Sequence, residues 1–154
     1  MVDEMGTAAE LARLSWLETA TVRAYDSVEH RITDEDLRQR LGGFRSDHAR
    51  HLSRMHRLLE KTAGGVEPSG EFMSFVREEL RLVERAPDPA DAMEHLLLIE
   101  RANASFFADA LASGLPAEVE QLVAEEREDE MRHVEEVELH VAVPAIERAP
   151  NDVS

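Results

Sequence analysis

The chain has 154 residues, a formal net charge of −16 and no cysteine, and this length suits one domain that can bury a sizeable core. The negative charge argues against nucleic acid and anionic membranes as partners, and the lack of cysteine excludes disulfides, thiolate metal sites and cysteine nucleophiles. Good helix formers such as Ala, Leu, Glu and Arg dominate, so the composition predicts an all-α fold.

Two long helices are predicted in the first half of the chain. The first runs from about Asp3 to His30. Thr33 is then predicted as the N-cap of the second helix, because an acidic residue follows three positions later in a capping-box arrangement. The second helix runs from about Asp34 to Thr62, and Gly64-Gly65 is expected to end it. Gly42-Gly43 inside this helix indicates a kink or a close contact with another helix.

The second half repeats this arrangement after a connector. The connector, residues 66–87, carries a short amphipathic helix at Glu71–Arg85. Asp88-Pro89 then starts a third long helix, with an N-cap followed by proline at the first helical position. This helix ends near Ser113. The fourth runs from Pro116 to about His140.

Connection lengths predict how these helices pack. Short links make antiparallel neighbours, so the four long helices form two antiparallel hairpins, and the long connector must cross the bundle to bring the second hairpin onto the first. We therefore expect one domain, a four-helix bundle over residues 1–143, with a short, partly loose tail over 144–154 that Pro144 and Pro150 mark.

The two hairpins match at one fixed offset. Glu18 and Glu100 lie 82 positions apart, and so do the segments Asp47-His48-Ala49-Arg50-His51 and Asp129-Glu130-Met131-Arg132-His133. The two segments share their aspartate, arginine and final histidine. Any two amphipathic hairpins share a spacing by chance, but that spacing alone would not align glutamate with glutamate and histidine with histidine at polar positions.

Ionisable residues lie on the apolar stripe of all four long helices, since each residue advances the helix by about 100°. An unpartnered buried carboxylate costs several kcal/mol, and neighbouring carboxylates repel one another. Too few arginines and lysines point inward to compensate, so a bound metal cation would best pair these groups. The candidate metal ligands are Glu18, His48, His51, Glu100, Glu126, Glu130 and His133.

Ligand chemistry narrows the kind of metal. Glu130 and His133 form Glu-x-x-His, whose i, i+3 spacing projects both side chains the same way. Oxygen and imidazole ligands without thiolate suit iron, with manganese or zinc as alternatives. The alternative interpretation of the cluster is a salt-bridged or protonated polar core, and a core histidine hydrogen-bonded to a carboxylate explains His48 equally well.

These residues resemble the ferritin-like superfamily, including its rubrerythrin and bacterioferritin branches. That family places glutamate on the first and third helices and Glu-x-x-His on the second and fourth. The resemblance implies a ferritin-like bundle with a long crossover, a site for up to two iron ions, and ferroxidase or other oxidoreductase chemistry with oxygen or peroxide. The residues that match are Glu18, His51, Glu100, Glu130 and His133.

One position departs from the family pattern. His48 stands where the family has a glutamate that joins two metals, and imidazole cannot bridge metals in the same way. Glu126, one turn before Glu130, is a candidate compensating carboxylate. Two functions therefore stay open: a metal-dependent oxidoreductase, or a non-catalytic structural, stress or assembly protein with a single-metal or vestigial site.

Three further residues carry expectations. Tyr25 is either a core tyrosine or, as the resemblance implies, a catalytic residue that bonds a ligand or supplies an electron. Trp16 and Leu98 occupy equivalent positions away from the ionisable stripe and predict a partner surface, hence a homodimer or larger homo-oligomer, unless they pack under the connector helix.

The location of the protein is predicted from what its sequence lacks. The first ten residues are acidic, without the basic and then apolar pattern of a signal peptide. No apolar run approaches the roughly 20 residues needed to span a bilayer. We therefore expect a cytoplasmic protein with no membrane partner.

Overall fold

The computed structural model of the protein describes residues 3–62 and 66–148, and this part of the chain is helical with no strand. The predicted all-α class is confirmed. None of the described helices has a stretch both long and apolar enough to cross a membrane. The five helices are α1 (Glu4–Glu29), α2 (Glu35–Glu60), α3 (Gly70–Glu84), α4 (Pro89–Ala112) and α5 (Ala117–Arg148).

Side-chain caps define where the helices begin. Asp88 accepts a hydrogen bond from the backbone N–H of Asp91 at 2.9 Å and precedes Pro89, as the sequence predicts. The predicted cap of α2 is wrong by one residue. Asp34, not Thr33, has the extended backbone of an N-cap and accepts from the N–H of Leu37 at 2.9 Å. Its carboxylate also complements the positive end of the helix dipole, which a threonine hydroxyl cannot do.

The end of α5 also differs from its prediction. The helix continues to Arg148, past the predicted end near His140 and through Pro144. Proline removes one backbone donor and disfavours the helix without ending it in every context. The predicted domain boundary at residue 143 stays a prediction, and Gly64-Gly65 and residues 149–154 of the tail lie outside the described residues.

The four long helices pack in a ring. α1 contacts α2 and α4, and α5 contacts α4 and α2. The ion pairs Arg40–Glu136 and Lys61–Glu118 join α2 to α5 and show that these helices run antiparallel. Helix α3 lies across α1 and α4. It therefore sits within the connection between the hairpins and covers one side of the bundle.

Two apolar clusters fill the core at different heights. The first surrounds Tyr25, Leu41, Leu96 and Val137. The second, at the other end, contains Leu11, Leu14, Met55, Phe107 and Val123. Along every long helix, the ionisable residues of the stripe fall between the segments that contribute to these clusters. The bundle therefore holds one polar layer between two apolar ones.

The glycine pair in α2 does not mark a close helix contact. A Cβ added at Gly43 would meet nothing within 4 Å, and at Gly42 it would meet Glu29 at an ordinary 3.8 Å.

We therefore expect Gly43→Ala to raise the free energy of unfolding by about 1 kcal/mol, because alanine loses less entropy in a helix. Urea denaturation measures this. Gly114→Ala is the opposite control and should destabilise, since Gly114 has φ 81°; an unchanged or lower stability of Gly43→Ala would contradict the expectation.

Candidate metal site

Six ionisable side chains from α1, α2, α4 and α5 meet in the polar layer, and each is at most 1 % exposed. Their ligand atoms form two overlapping groups, within each of which every atom lies within 4.8 Å of the others. Each group offers two carboxylates and two imidazoles, enough donors to hold a metal ion. Position A consists of Glu18, His48, His51 and Glu130, and position B of His48, Glu100, Glu130 and His133.

The internal repeat relates the two positions. The buried hydrogen bond from Asn103 Nδ2 to Thr21 Oγ1, 2.8 Å long, joins another pair of equivalent residues at the contact between α1 and α4. Repeat-equivalent groups therefore face one another across the bundle, and an approximate twofold axis passes through the layer. Its equivalent ionisable pairs are Glu18 with Glu100, His48 with Glu130, and His51 with His133.

His48 lies at the centre of the layer and belongs to both positions. Its Nδ1 is 2.6 Å from Glu18 Oε2 and 3.2 Å from Glu130 Oε1. Its Nε2 is 2.8 Å from Glu100 Oε1 and 3.1 Å from His133 Nδ1. Both ring nitrogens donate to carboxylates only when both carry a proton, so this geometry is that of an imidazolium among carboxylates.

The protonation of the layer follows from burial and from His48. Burial opposes the charged ring, but the surrounding carboxylates, Glu130 first, outweigh it and raise the pKa of His48 well above its usual value. Burial also acts to raise the pKa values of Glu18 and Glu100, yet His48 lowers each to about 2. For Glu130, burial and the neighbouring carboxylates prevail, and its pKa lies well above the ordinary range. Glu130 is therefore the carboxyl among these three that takes up a proton most readily.

Two aspartates hold the outer histidines from opposite helices. Asp129 on α5 lies 2.8 Å from Nε2 of His51 on α2, and Asp47 on α2 lies 3.0 Å from Nε2 of His133 on α5. An imidazole N–H donates to each carboxylate, so the proton sits on Nε2 and the Nδ1 lone pair of each ring faces the layer. Arg50 contacts both aspartates, at 3.0 and 3.5 Å. The two aspartates and Arg50 thus orient two nitrogen ligands towards the layer.

The sequence interpretation missed the role of these aspartates. Asp47 lies about 100° from His48 on the helix wheel, which is away from the stripe of candidate ligands. That direction turns it towards His133 on the neighbouring helix. The identical aspartates at equivalent positions were visible in the sequence, but their partners depend on how α2 packs on α5.

Several oxygen and nitrogen atoms of the layer that could bind a metal lack a hydrogen-bond partner among the described residues. They include both oxygens of Glu130, one oxygen each of Glu18 and Glu100, and Nδ1 of His51. Buried acceptors without donors are costly, and a cation among them removes that cost. The donor set is carboxylate and imidazole, which suits iron, manganese or zinc. The residues therefore fit a divalent metal ion.

Glu126 lies beside the layer but outside both positions. It is fully buried, and neither carboxyl oxygen has a hydrogen-bond partner among the described residues. Burial first, then the charge of Glu18, raises its pKa to about 9. The repeat-equivalent residue is Phe44, whose ring centroid lies 4.5 Å from that of His133. The repeat is thus broken here, with a carboxyl near position A and an aromatic ring at position B.

Tyr25 packs against the layer from the first apolar cluster. Its ring centroid lies 5.3 Å from that of His48, and its hydroxyl is buried with no hydrogen-bond partner among the described residues. Burial and the nearby carboxylate of Glu100 raise its pKa well above the ordinary value. The side chain is therefore a neutral phenol at the edge of the site.

The residues predicted to form a partner surface differ in their surroundings. Trp16 is partly buried against the second apolar cluster and lines a groove with Val76 and Leu80 of α3. It therefore packs beside the connector helix, as the alternative interpretation expects. Leu98, its equivalent in the repeat, is 48 % exposed. The oligomeric state stays a prediction.

The fold and the polar layer together define the class: a helical bundle with a buried carboxylate–histidine cluster able to hold a metal ion. No family model, no curated protein and no solved structure matches the chain.

Proposed function

We propose that this protein is a ferritin-like bundle that binds iron in the polar layer and carries out ferroxidase or related oxidoreductase chemistry with oxygen or peroxide. The observation that supports it is the convergence of six buried carboxylate and imidazole groups into two overlapping four-ligand positions. A bound iron would supply one-electron chemistry with oxygen or peroxide. Structural ion-pair networks also bury charge, but this layer leaves acceptor atoms without donors.

The proposed ligands have distinct tasks. Glu18 and Glu100 supply carboxylates from α1 and α4, and Glu130 and His48 lie between the two positions. His51 and His133 present their Nδ1 atoms, which the aspartates on the facing helices orient. The apolar clusters above and below exclude water, which strengthens every charge interaction in the layer.

Tyr25 is the proposed catalytic residue beside the metal. As a buried neutral phenol near His48 it can donate a hydrogen bond into the layer or supply an electron. Tyr25→Phe keeps the ring and removes the hydroxyl, so it separates these roles from packing.

Metal loading followed by exposure to oxygen tests the proposal. Chelator-stripped protein is loaded with ferrous iron without oxygen, bound iron per chain is measured, and oxygen uptake and ferric absorbance are then followed. We expect bound iron and oxidation faster than in buffer, with Glu130→Gln losing at least tenfold in affinity because Glu130 belongs to both positions. Glu128→Gln, an exposed charge on the same helix, is the matched control. Iron binding without accelerated oxidation would contradict the catalytic part.

Metal affinity should fall as the pH falls. The pKa values of His48 and Glu130 are raised in the metal-free layer, so both groups hold protons that a cation must displace. The dissociation constant should therefore rise about tenfold per pH unit for each proton displaced. Titration with Zn²⁺ between neutral and mildly acidic pH measures it. An affinity that stays flat over this range would count against these ligands.

One observation favours a second candidate function. His48 lies within 3.2 Å of three carboxyl groups, so its charge compensates part of the layer without a metal. A non-catalytic bundle with a single-metal or vestigial site, acting as a structural, stress or assembly protein, has this property. The loading experiment distinguishes the two, since this candidate does not speed the oxidation of any iron that it binds.

A further inference from the structure

The two metal positions are equivalent by the repeat but not by their surroundings. They share His48 and Glu130, and each adds one glutamate and one histidine of its own. Two residues beside the positions break the symmetry of the repeat and therefore distinguish position A from position B. These are Glu126 and its equivalent Phe44.

The side chains beside the two positions favour position A. Glu126 is buried, and because its repeat-equivalent Phe44 lies against His133 of position B, the repeat places Glu126 beside His51 of position A. Its two oxygens have no hydrogen-bond partner among the described residues, so they are available to a cation. On the other side, the Phe44 ring stacks at 4.5 Å on His133 and also lies 6.3 Å from the ring of Tyr25. An aromatic ring there adds no charge for a second cation.

His48 favours one tightly bound cation over two. Its Nδ1 faces the carboxylates of position A, Glu18 at 2.6 Å and Glu130 at 3.2 Å. Its Nε2 faces position B and contacts Glu100 at 2.8 Å and His133 Nδ1 at 3.1 Å. When Nδ1 binds a metal, the Nε2–H still donates to Glu100. The same proton then occupies the acceptors that a second metal in position B would need.

Resting on the proposed function, we propose that the layer binds one divalent cation tightly, in position A, through Glu18, His51, Glu130 and Nδ1 of His48, with the carboxyl of Glu126 beside it. Position B keeps Glu100 and His133 bonded to the ring of His48. The site is thus a mononuclear centre, in which only one of the two repeat-related positions holds a metal ion tightly.

The repeat supplies matched pairs of variants for the test. Glu18→Gln and Glu100→Gln remove the same charge from two residues that are both fully buried. His51→Gln and His133→Gln remove the same imidazole donor from two residues exposed by 1 % each. Chelator-stripped protein is titrated with Co²⁺, and stoichiometry, affinity and the visible absorption of bound cobalt are recorded. Helix content by circular dichroism checks that each variant folds, and two independent pairs keep the comparison available if one variant does not.

We expect one tight Co²⁺ per chain in the unaltered protein. Variants at Glu18 and His51 should weaken it at least tenfold more than their partners at Glu100 and His133. Glu126→Gln should also weaken binding, whereas Phe44→Leu should not. In the cobalt form, His51 and His48 should each give a hyperfine-shifted Nε2–H resonance, so His51→Gln should remove one of the two and His133→Gln should remove neither.

Each result decides for or against this inference. Losses that differ by less than tenfold within both pairs, larger losses on the position B side, or two tight cobalt ions per chain would overturn it while leaving the proposed metal function intact. Failure of the unaltered protein to bind Co²⁺, Fe²⁺, Mn²⁺ or Zn²⁺ would instead overturn the proposed function itself.

Discussion

Replacing His48 with glutamate should convert the layer from a site for one tightly bound metal into a site for two. The substitution His48→Glu removes the imidazolium that Glu18 and Glu100 contact at 2.6 and 2.8 Å, and introduces two oxygens able to join neighbouring metals. Because Glu130 already belongs to both positions, the variant would then offer them a second shared carboxylate. Bound iron per chain, measured after identical loading, should rise towards two.

The same substitution should make the metal-free protein much less stable. It places a further carboxylate among buried ones and removes the cation that neutralises them. Removing one partner of a buried pair costs about 3–5 kcal/mol. Urea denaturation with a chelator should show that loss, and metal should restore the stability of the variant.

His48→Gln is the matched control for both effects. It removes the charge without adding a carboxylate, so it should lose stability without gaining a second metal. If the unaltered protein already holds two tightly bound metals and His48→Glu lowers that number, this account of His48 is wrong.

The long helices and the polar layer could be predicted from the sequence, because the spacing of apolar and ionisable residues along the chain indicates both. Ionisable residues at the centre of an apolar stripe are visible without coordinates, and Glu18 and Glu100 are both fully buried. Helix ends were predicted less well, since the cap at Asp34 and the continuation of α5 to Arg148 depend on local backbone geometry. Several neighbouring residues satisfy the same capping preference.

Side-chain contacts between helices could not be predicted from the sequence. The pairing of Asp47 with His133 and of Asp129 with His51 crosses from α2 to α5, so it depends on helix rotation and separation. The orientation of His48 has the same origin. Its two nitrogens reach both positions only because α1 and α4 bring Glu18 and Glu100 to either side of one ring.

The burial of Glu126 gives the second large effect, on stability rather than on metal content. Burial and the charge of Glu18 raise its pKa from 4.5 to about 9, so the folded metal-free protein holds a proton that the unfolded chain releases at neutral pH. A carboxyl with a raised folded pKa contributes its full stability below the unfolded pKa. That contribution is lost as the pH rises towards the folded value.

Glu126→Gln should therefore stabilise the metal-free protein, because an amide is neutral without taking up a proton. The gain should be close to zero near the unfolded pKa of 4.5, reach about 3 kcal/mol at pH 7 and continue to grow towards pH 9. Urea denaturation of both proteins in chelator across this range measures the difference, in which the other titrating groups cancel.

Glu125→Gln is the control, since Glu125 is exposed and bonded to Arg54 at 2.7 Å, and no gain that grows with pH is expected from it. Because Glu126→Gln should also weaken cobalt binding, a variant that is both more stable without metal and less able to bind it would show that Glu126 is retained for the metal at the expense of stability. A constant difference across the pH range would show instead that this carboxyl is ionised in the folded protein.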